Sequence, residues 1–69
     1  MDDFDLGTFI KDHRKKAGLT QLELADLAGV GKTTVFDIEK NKETVRFNNL
    51  LAVLRVLNIK VEFESPLNK

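Results

Sequence analysis

Apolar residues recur every three to four positions along most of the chain, and this spacing predicts four helices. The first helix runs from Phe4 or Asp5 to Ala17, and the second runs from its N-cap at Thr20 to Gly29. The third covers Gly31 to Lys40, and the fourth covers Arg46 to Leu57. The residues expected to build the core are Leu6, Phe9, Ile10, Ala17, Leu24, Ala25, Leu27, Ala28, Val30, Val35, Ile38, Phe47, Leu50, Leu51, Val53, Leu54 and Leu57.

After Asn58 the apolar period shortens to two, which is typical of a strand. Ile59, Val61 and Phe63 alternate with charged residues, so we predict one strand over 59–64. A lone strand leaves its backbone N–H and C=O groups unpaired and therefore needs a second strand. No other segment has this pattern, and the simplest partner is the same strand of a second copy across a two-fold axis. The pattern therefore predicts a homodimer.

Length and composition limit the chain to one small domain. Its 69 residues, 42% of them hydrophobic, divide into a helical core over 4–57, a dimerisation strand over 58–64 and a tail over 65–69. Cysteine is absent, which excludes disulfides and thiolate metal sites. No apolar run approaches the roughly 20 residues of a membrane span, and the acidic N-terminus lacks the apolar stretch of a secretory signal. We therefore expect a cytoplasmic protein.

The sequence offers no catalytic or metal site. His13 is the single histidine, has no second ligand at metal spacing and is expected on the solvated surface. No nucleophile–base set stands out. The tripeptide Gly-Lys-Thr at Gly31 suggests a P-loop, but that motif needs a glycine where Asp26 stands and a preceding strand rather than a helix. We therefore expect a protein that is not an enzyme and holds no metal or cofactor.

The segment Leu19–Glu39 contains two short amphipathic helices joined by a tight Gly-Val-Gly connection. That is the layout of a helix-turn-helix, whose second helix lies in the DNA major groove. The net charge is zero because eleven basic residues meet eleven acidic ones, whereas many DNA-binding domains are basic. The basic residues in or just after the second helix of the motif are Lys32, Lys40, Lys42 and Arg46. Such a local basic face should bind DNA weakly as a single copy, which again favours a dimer.

A set of residues within 6–57 carries a resemblance to a known family. Its members are Arg14, Gly18, Leu19, Thr20, Gln21, Leu24, Ala25, Ala28, Gly29, Val30, Thr34, Val35, Ile38, Glu39 and Lys42. They resemble the Cro/C1-type (XRE) helix-turn-helix family of bacterial and phage regulators. With the strand over 59–64 added, the chain is similar to the HipB-like subgroup, which are antitoxins and autorepressors paired with HipA-type kinase toxins.

The resemblance implies an all-α, lambda-repressor-like fold of about four helices, with a C-terminal strand that pairs across a dimer. It implies a sequence-specific repressor of its own operon that binds a palindromic operator in double-stranded DNA. Arg14 and Glu39 match a family pair that forms a salt bridge between the first helix and the end of the third. The positions that match DNA contacts are Gln21, Gly31 and Lys42 at phosphates, and Lys32, Thr33 and Asp37 in the major groove.

Several of these assignments have structural alternatives. Lys32 and Thr33 contact either a base edge or a phosphate. Asp37 either accepts from cytosine N4, or caps a helix or pairs with a nearby lysine. Phe36 either meets a thymine methyl or packs on the neighbouring helix, and we expect the packing. The function has alternatives as well: a regulator with a HipA-like toxin partner, a regulator without a toxin, and a protein-interaction module of the same fold without DNA readout, which the neutral charge favours.

Overall fold

The computed structural model describes residues 4–67, and their four helices form the predicted all-α fold. The helices are α1 (Leu6–Lys16), α2 (Gln21–Ala28), α3 (Lys32–Glu39) and α4 (Phe47–Val56). Each is shorter than its predicted range by one or two residues at either end, because those ranges included the capping residues. In the described residues, no helix is both long enough and apolar enough to cross a membrane.

Hydrogen bonds at the helix starts explain where α1 and α2 begin. The Asp5 carboxylate accepts from the Thr8 N–H at 2.9 Å, which caps α1. Thr20 and Glu23 form the predicted capping box of α2. The Glu23 N–H donates to Thr20 Oγ1 at 3.0 Å, and the Thr20 N–H donates to Glu23 Oε1 at 2.8 Å. By contrast, α3 follows Gly31, which makes no side-chain cap hydrogen bond.

Buried apolar side chains from all four helices form one cluster. The helix α3 lies at its centre because it packs against α1, α2 and α4, while α2 also packs against α4. The buried side chains are Ile10, Leu24, Ala25, Val35, Ile38, Val53 and Leu54. Burying each of the larger ones contributes about 1.5–3 kcal/mol. The position of α3 is therefore determined by packing on one side of that helix.

Three residues predicted in the core, Ala17, Leu27 and Phe47, are exposed, so those predictions are wrong. Ala17 is the C-cap of α1 and lies beyond its last turn. Leu27 is 63% exposed because it lies about 200° around α2 from the buried Ala25. Phe47 is 57% exposed because it is the first residue of α4, one turn ahead of the half-buried Leu50 and two turns ahead of the buried Leu54. The apolar pattern therefore indicates the right faces but extends farther than the core does.

Residues 59–67, here called the C-terminal segment, contain no helix or strand in the single chain. Ile59 is half-buried, and its N–H donates to the Leu54 carbonyl at 2.9 Å. Val61 and Phe63 are exposed. One copy therefore does not form the predicted strand, because a strand needs a neighbouring strand for its hydrogen bonds. Its pairing with a second copy stays a prediction.

Candidate nucleic-acid interface

The connection between α2 and α3 takes only residues 29–31. Gly29 has a φ of +72°, a left-handed conformation that glycine adopts without steric cost. The Val30 N–H donates to the Ala25 carbonyl at 3.0 Å, and its side chain packs against the core. These contacts end α2 and set α3 against it, so the predicted helix-turn-helix is formed.

Lys32, Thr33 and Phe36 are exposed on one side of α3, here called its outer face, since residues three and four apart share one side of a helix. Together with Gln21, the first residue of α2, they line an open depression of about 350 Å³. The structure thus brings together three of the side chains that the sequence assigned to DNA contact, namely Gln21, Lys32 and Thr33.

Phe36 is not part of the core, so the prediction that it packs there is wrong. Its side chain is 46% exposed. It lies about 100° around α3 from the buried Val35 and about 200° from the buried Ile38, which turns it away from the core. The Lys40 ammonium lies 5.6 Å from the centre of the ring, within the range of a cation–π contact. The outer face therefore carries an aromatic ring between cationic side chains.

Asp37 and Lys42 contact each other and not the depression. The Lys42 N–H donates to the Asp37 carbonyl at 3.0 Å, and Lys42 Nζ lies 3.9 Å from Asp37 Oδ2. The Lys42 side chain is 57% exposed, and an ion pair of this length and exposure contributes about 1 kcal/mol or less. The free chain therefore adopts the alternative in which Asp37 pairs with a lysine, but the pair is weak enough to exchange for other contacts.

The start of α3 carries partial positive charge that no side chain neutralises. Gly31 is the N-cap and has no side chain to accept from the first N–H groups of the helix. Its carbonyl accepts from the Thr34 N–H at 3.0 Å and from the Val35 N–H at 3.3 Å. The earlier N–H groups have no acceptor within the helix and favour an anion. This end of α3 is thus suited to a phosphate oxygen.

A buried ion pair holds the opposite side of α3. Arg14 Nε donates to Glu39 Oε2 at 2.6 Å, and Arg14 Nη2 donates to Glu39 Oε1 at 3.1 Å. The two side chains are only 9% and 4% exposed. Arg14 Nη1 also donates to the Leu19 carbonyl at 2.9 Å. The pair that the sequence assigned is therefore present, and it joins α1 to the end of α3 and to the segment before α2.

Gln21 connects this buried pair with the surface. Its Nε2 donates to Glu39 Oε1 at 3.1 Å, and the side chain is half-buried. An amide nitrogen carries two N–H groups, so one of them remains to reach a phosphate. Gln21 thus has a positioning contact that the sequence analysis missed, in addition to its assigned place beside DNA.

The environment of Glu39 favours its charged form. Burial raises the pKa of this carboxyl, but the hydrogen bonds from Arg14 and Gln21 and the charge of Arg14 together lower it by more. The pKa of Glu39 therefore lies below its ordinary value, and the carboxylate stays ionised at neutral pH.

A contact between the start of α1 and the end of α3 was not predicted from the sequence. The Gly7 N–H donates to Asn41 Oδ1 at 2.8 Å, and Asn41 Nδ2 donates to Asp5 Oδ1 at 2.6 Å. A Cβ on Gly7 would lie 2.5 Å from the Glu39 carbonyl oxygen. The hydrogen bonds from Asn41 and Thr8 lower the pKa of the Asp5 carboxyl. A glycine inside a helix lowers stability by about 1 kcal/mol relative to alanine. Its presence in the predicted first helix could therefore have indicated that another backbone segment lies close to Gly7.

His13 is half-buried, so its prediction as a solvated surface residue is wrong. Its Nδ1 lies 2.8 Å from the Phe9 carbonyl oxygen, and the two rings are 4.3 Å apart. Within residues 4–67, no group of three His, Cys, Asp or Glu side chains is placed to hold a metal ion.

Comparison with known proteins gives the same assignment as the geometry. A family model described as Helix-turn-helix matches residues 10–63. A relative from Sinorhizobium fredii, named "Uncharacterized HTH-type transcriptional regulator y4mF", is 36% identical over 62 residues, which cover 90% of this chain and 82% of the relative.

Solved structures share this fold. One chain of a HipA–HipB–O2–O3 complex superposes with a TM-score of 0.79 at 23% identity, over 96% of this chain and 93% of that one. One chain of a SinR–SinI complex superposes with a TM-score of 0.70 at 38% identity, over 78% of this chain and 53% of that one. With the matched family model and the curated relative, these findings show that the chain belongs to the Cro/C1-type (XRE) helix-turn-helix family of transcriptional regulators.

Proposed function

We propose that this protein is a sequence-specific repressor of its own operon that binds double-stranded DNA as a homodimer. The observation that carries the proposal is the outer face of α3, where Lys32, Thr33 and Phe36 lie exposed beside Gln21. A helix that enters the major groove must be rigid on its inner side and must offer cationic and hydrogen-bonding groups on its outer side. Lys32 and Thr33 are the proposed contacts to base edges.

Phosphate contacts on both sides of α3 would fix the helix in the groove. Gln21 would donate its second amide N–H, and the uncapped start of α3 at Gly31 would offer its backbone N–H groups. Lys42 would exchange its weak pair with Asp37 for a phosphate oxygen. Asp37, once released, would accept from cytosine N4.

A second copy would supply the affinity that a neutral chain lacks. Three to five cationic phosphate contacts in each subunit give a dimer a salt slope of about −5 to −9. The exposed side chains of Val61 and Phe63 support pairing through the C-terminal segment. Two-fold symmetry would then place one α3 in each of two successive major grooves, and the operator would be a palindrome with half-sites about 34 Å, or a multiple of it, apart.

We propose in addition that the protein is the antitoxin of a HipA-like kinase. The support is the fold that it shares with one chain of a HipA–HipB complex, together with the short segment that follows α4. The test is the neighbouring reading frame and co-purification of its product with this protein. A kinase gene beside this one and a stable complex are expected. A neighbour of another kind, or clean separation of the two products, would leave a repressor without a toxin.

Fluorescence anisotropy tests the repressor function directly. The intact protein is titrated into labelled duplex DNA from upstream of its own gene, and into a random duplex of equal length at the same moderate salt. A specific regulator should prefer the upstream DNA by about 10³-fold or more. Equal affinity for the two duplexes would overturn the proposal.

The same titration distinguishes the repressor from a second candidate function, a protein-interaction module that has the same fold but does not read DNA. The zero net charge favours it, since phosphate neutralisation drives most DNA affinity. This candidate requires that neither duplex binds and that the salt concentration has little effect.

A further inference from the structure

We infer that Phe36 determines operator specificity by contacting the 5-methyl group of a thymine. The inference rests on the proposed function and deepens it, because Phe36 lies outside the set of residues assigned to DNA. It would add an apolar contact to a site otherwise made of polar and cationic groups.

The ring of Phe36 lies among side chains assigned to DNA contact. Single exposed apolar residues are common on protein surfaces and require no explanation by themselves. Phe36, however, shares a depression with Gln21, Lys32 and Thr33, all three of them assigned to DNA contact. It lies one turn after Lys32 and Thr33, on the side of α3 that is turned away from the core. Any duplex that those two side chains reach must therefore also meet the ring.

The apolar ring of Phe36 matches one chemical group of the major groove. In the major groove the bases present hydrogen-bond donors and acceptors, and thymine alone adds an apolar group, its C5-methyl. An aromatic ring pressed against a donor or acceptor would deprive that group of water without replacing its hydrogen bond. Against a thymine methyl, the same ring removes apolar surface from water on both sides. The chemistry of the ring therefore favours thymine over the other three bases.

The side chain of Lys40 contacts the ring of Phe36 in the free protein. The Lys40 ammonium lies 5.6 Å from the centre of the ring, and a cation–π contact at this distance restricts the ring before DNA arrives. A side chain that is already restricted loses less entropy on binding. Lys40 also adds a positive charge next to the apolar contact, which suits a surface that approaches phosphates.

Replacing thymine by deoxyuridine tests the inference, because deoxyuridine differs only by the missing methyl group. An operator is first selected from randomised duplexes with the wild-type protein, and each thymine is then replaced in turn. At one thymine position of a half-site, replacement by deoxyuridine should weaken binding of the wild-type protein about fourfold. This is the effect expected for the loss of one buried methyl group. The Phe36→Ala variant should bind the thymine and deoxyuridine duplexes equally.

Matched variants complete the design. Leu27→Ala removes an apolar side chain that is also exposed but lies on α2, and it should keep the wild-type response to deoxyuridine. Phe36→Leu should keep the thymine preference and Phe36→Gln should lose it, so the comparison survives even if the alanine variant does not fold.

The outcomes are distinguishable. If wild type and Phe36→Gln respond alike to every deoxyuridine replacement, the inference is overturned while the repressor function stands. If Phe36→Gln changes the oligomeric mass and leaves the thymine preference intact, Phe36 serves protein contact and the inference is again overturned. If selection returns no preferred sequence, the proposed function itself fails before any thymine is replaced.

Discussion

The two sides of α3 differ in what holds their side chains. On the inner face Val35 and Ile38 are buried, and Glu39 is bonded to Arg14 and Gln21. On the outer face the side chains are exposed and line a depression that is open to solvent. The inner face therefore determines stability, and the outer face is available for recognition. Substitutions on the two faces should consequently have separable effects.

The C-terminal segment is similar to the outer face of α3 because its apolar side chains are also exposed. Val61 is 43% exposed and Phe63 is 82% exposed, so neither side chain contributes much to the fold of one copy. Ile59 marks the boundary, because among residues 4–67 it is the last that packs against the core. The apolar side chains of the C-terminal segment are therefore exposed in one copy, whereas those on the inner face of α3 are already packed.

The largest effect should come from breaking the buried ion pair. Arg14→Ala leaves the Glu39 carboxylate buried without its counter-charge, which should lower the free energy of unfolding by about 3–5 kcal/mol. Urea denaturation followed by circular dichroism measures this change. A loss below about 1 kcal/mol would show that the pair does not hold α3.

A double variant is the control for that measurement. Replacing Arg14 and Glu39 together by methionine removes both charges and keeps an apolar volume in their place. Because replacing both members of a buried pair is often neutral, stability should largely return. A double variant as unstable as Arg14→Ala would indicate lost packing rather than an unpaired charge.

The next effect should appear at the C-terminal segment. Val61→Asp with Phe63→Asp places charges in the predicted dimer interface, so light scattering should show a monomer. Operator affinity should fall by about 10²-fold or more, since both half-sites no longer bind together. The helical circular dichroism of each copy should change little, because both side chains are exposed. An unchanged dimer mass would refute pairing through this segment.

A third prediction compares two glycines. Gly7→Ala places a Cβ 2.5 Å from the Glu39 carbonyl oxygen, so backbone must shift, at a cost of about 1–3 kcal/mol. Gly31→Ala meets nothing within 4 Å, and its cost should be limited to about 1 kcal/mol or less, because alanine is a poorer N-cap than glycine. Equal stability of the two variants would contradict the close approach of α1 to α3.

The pH dependence of stability should reflect the ionisation of Glu39 on the inner face of α3. The pKa of Glu39 is lower in the folded chain than its ordinary value. The ionised Glu39 carboxylate therefore contributes its full stabilisation when the pH is above the ordinary pKa of glutamate. This stabilisation is lost as the pH falls through the lower pKa of the folded chain. Urea titrations across the acidic range should show less loss of stability in Glu39→Gln than in the wild type. Glu64→Gln, a change in the exposed C-terminal segment, should follow the wild type.

The inner face could be predicted from the sequence more fully than the outer face. Period and capping residues indicated the helices, because burial repeats at helical spacing and the Thr20–Glu23 capping box is local. Exposure at the rim of the core could not be predicted in the same way. Leu27 and Phe47 are as apolar as the buried residues, and only the packed position of the helices shows that the core ends before them.

Long-range contacts were the hardest to predict. The hydrogen bond from Gln21 to Glu39 joins residues 18 positions apart. The hydrogen bond from Gly7 to Asn41 joins residues 34 positions apart. No local sequence pattern indicates such partners. The outward direction of Phe36 also depends on where the core lies.

The smallest effect should come from Lys32 on the outer face, and it decides what kind of contact this residue makes. Lys32→Ala should leave the urea unfolding curve unchanged because the side chain is exposed. If Lys32 reads a base, the variant should select a different operator and lose about 1–3 kcal/mol of discrimination at one position. If it meets only a phosphate, affinity should fall about equally on all duplexes and the salt slope should decrease by about one. Measurement of operator and random DNA at several salt concentrations separates these two results. A variant that matches the wild type in both would remove Lys32 from the interface and leave recognition to its neighbours on the outer face.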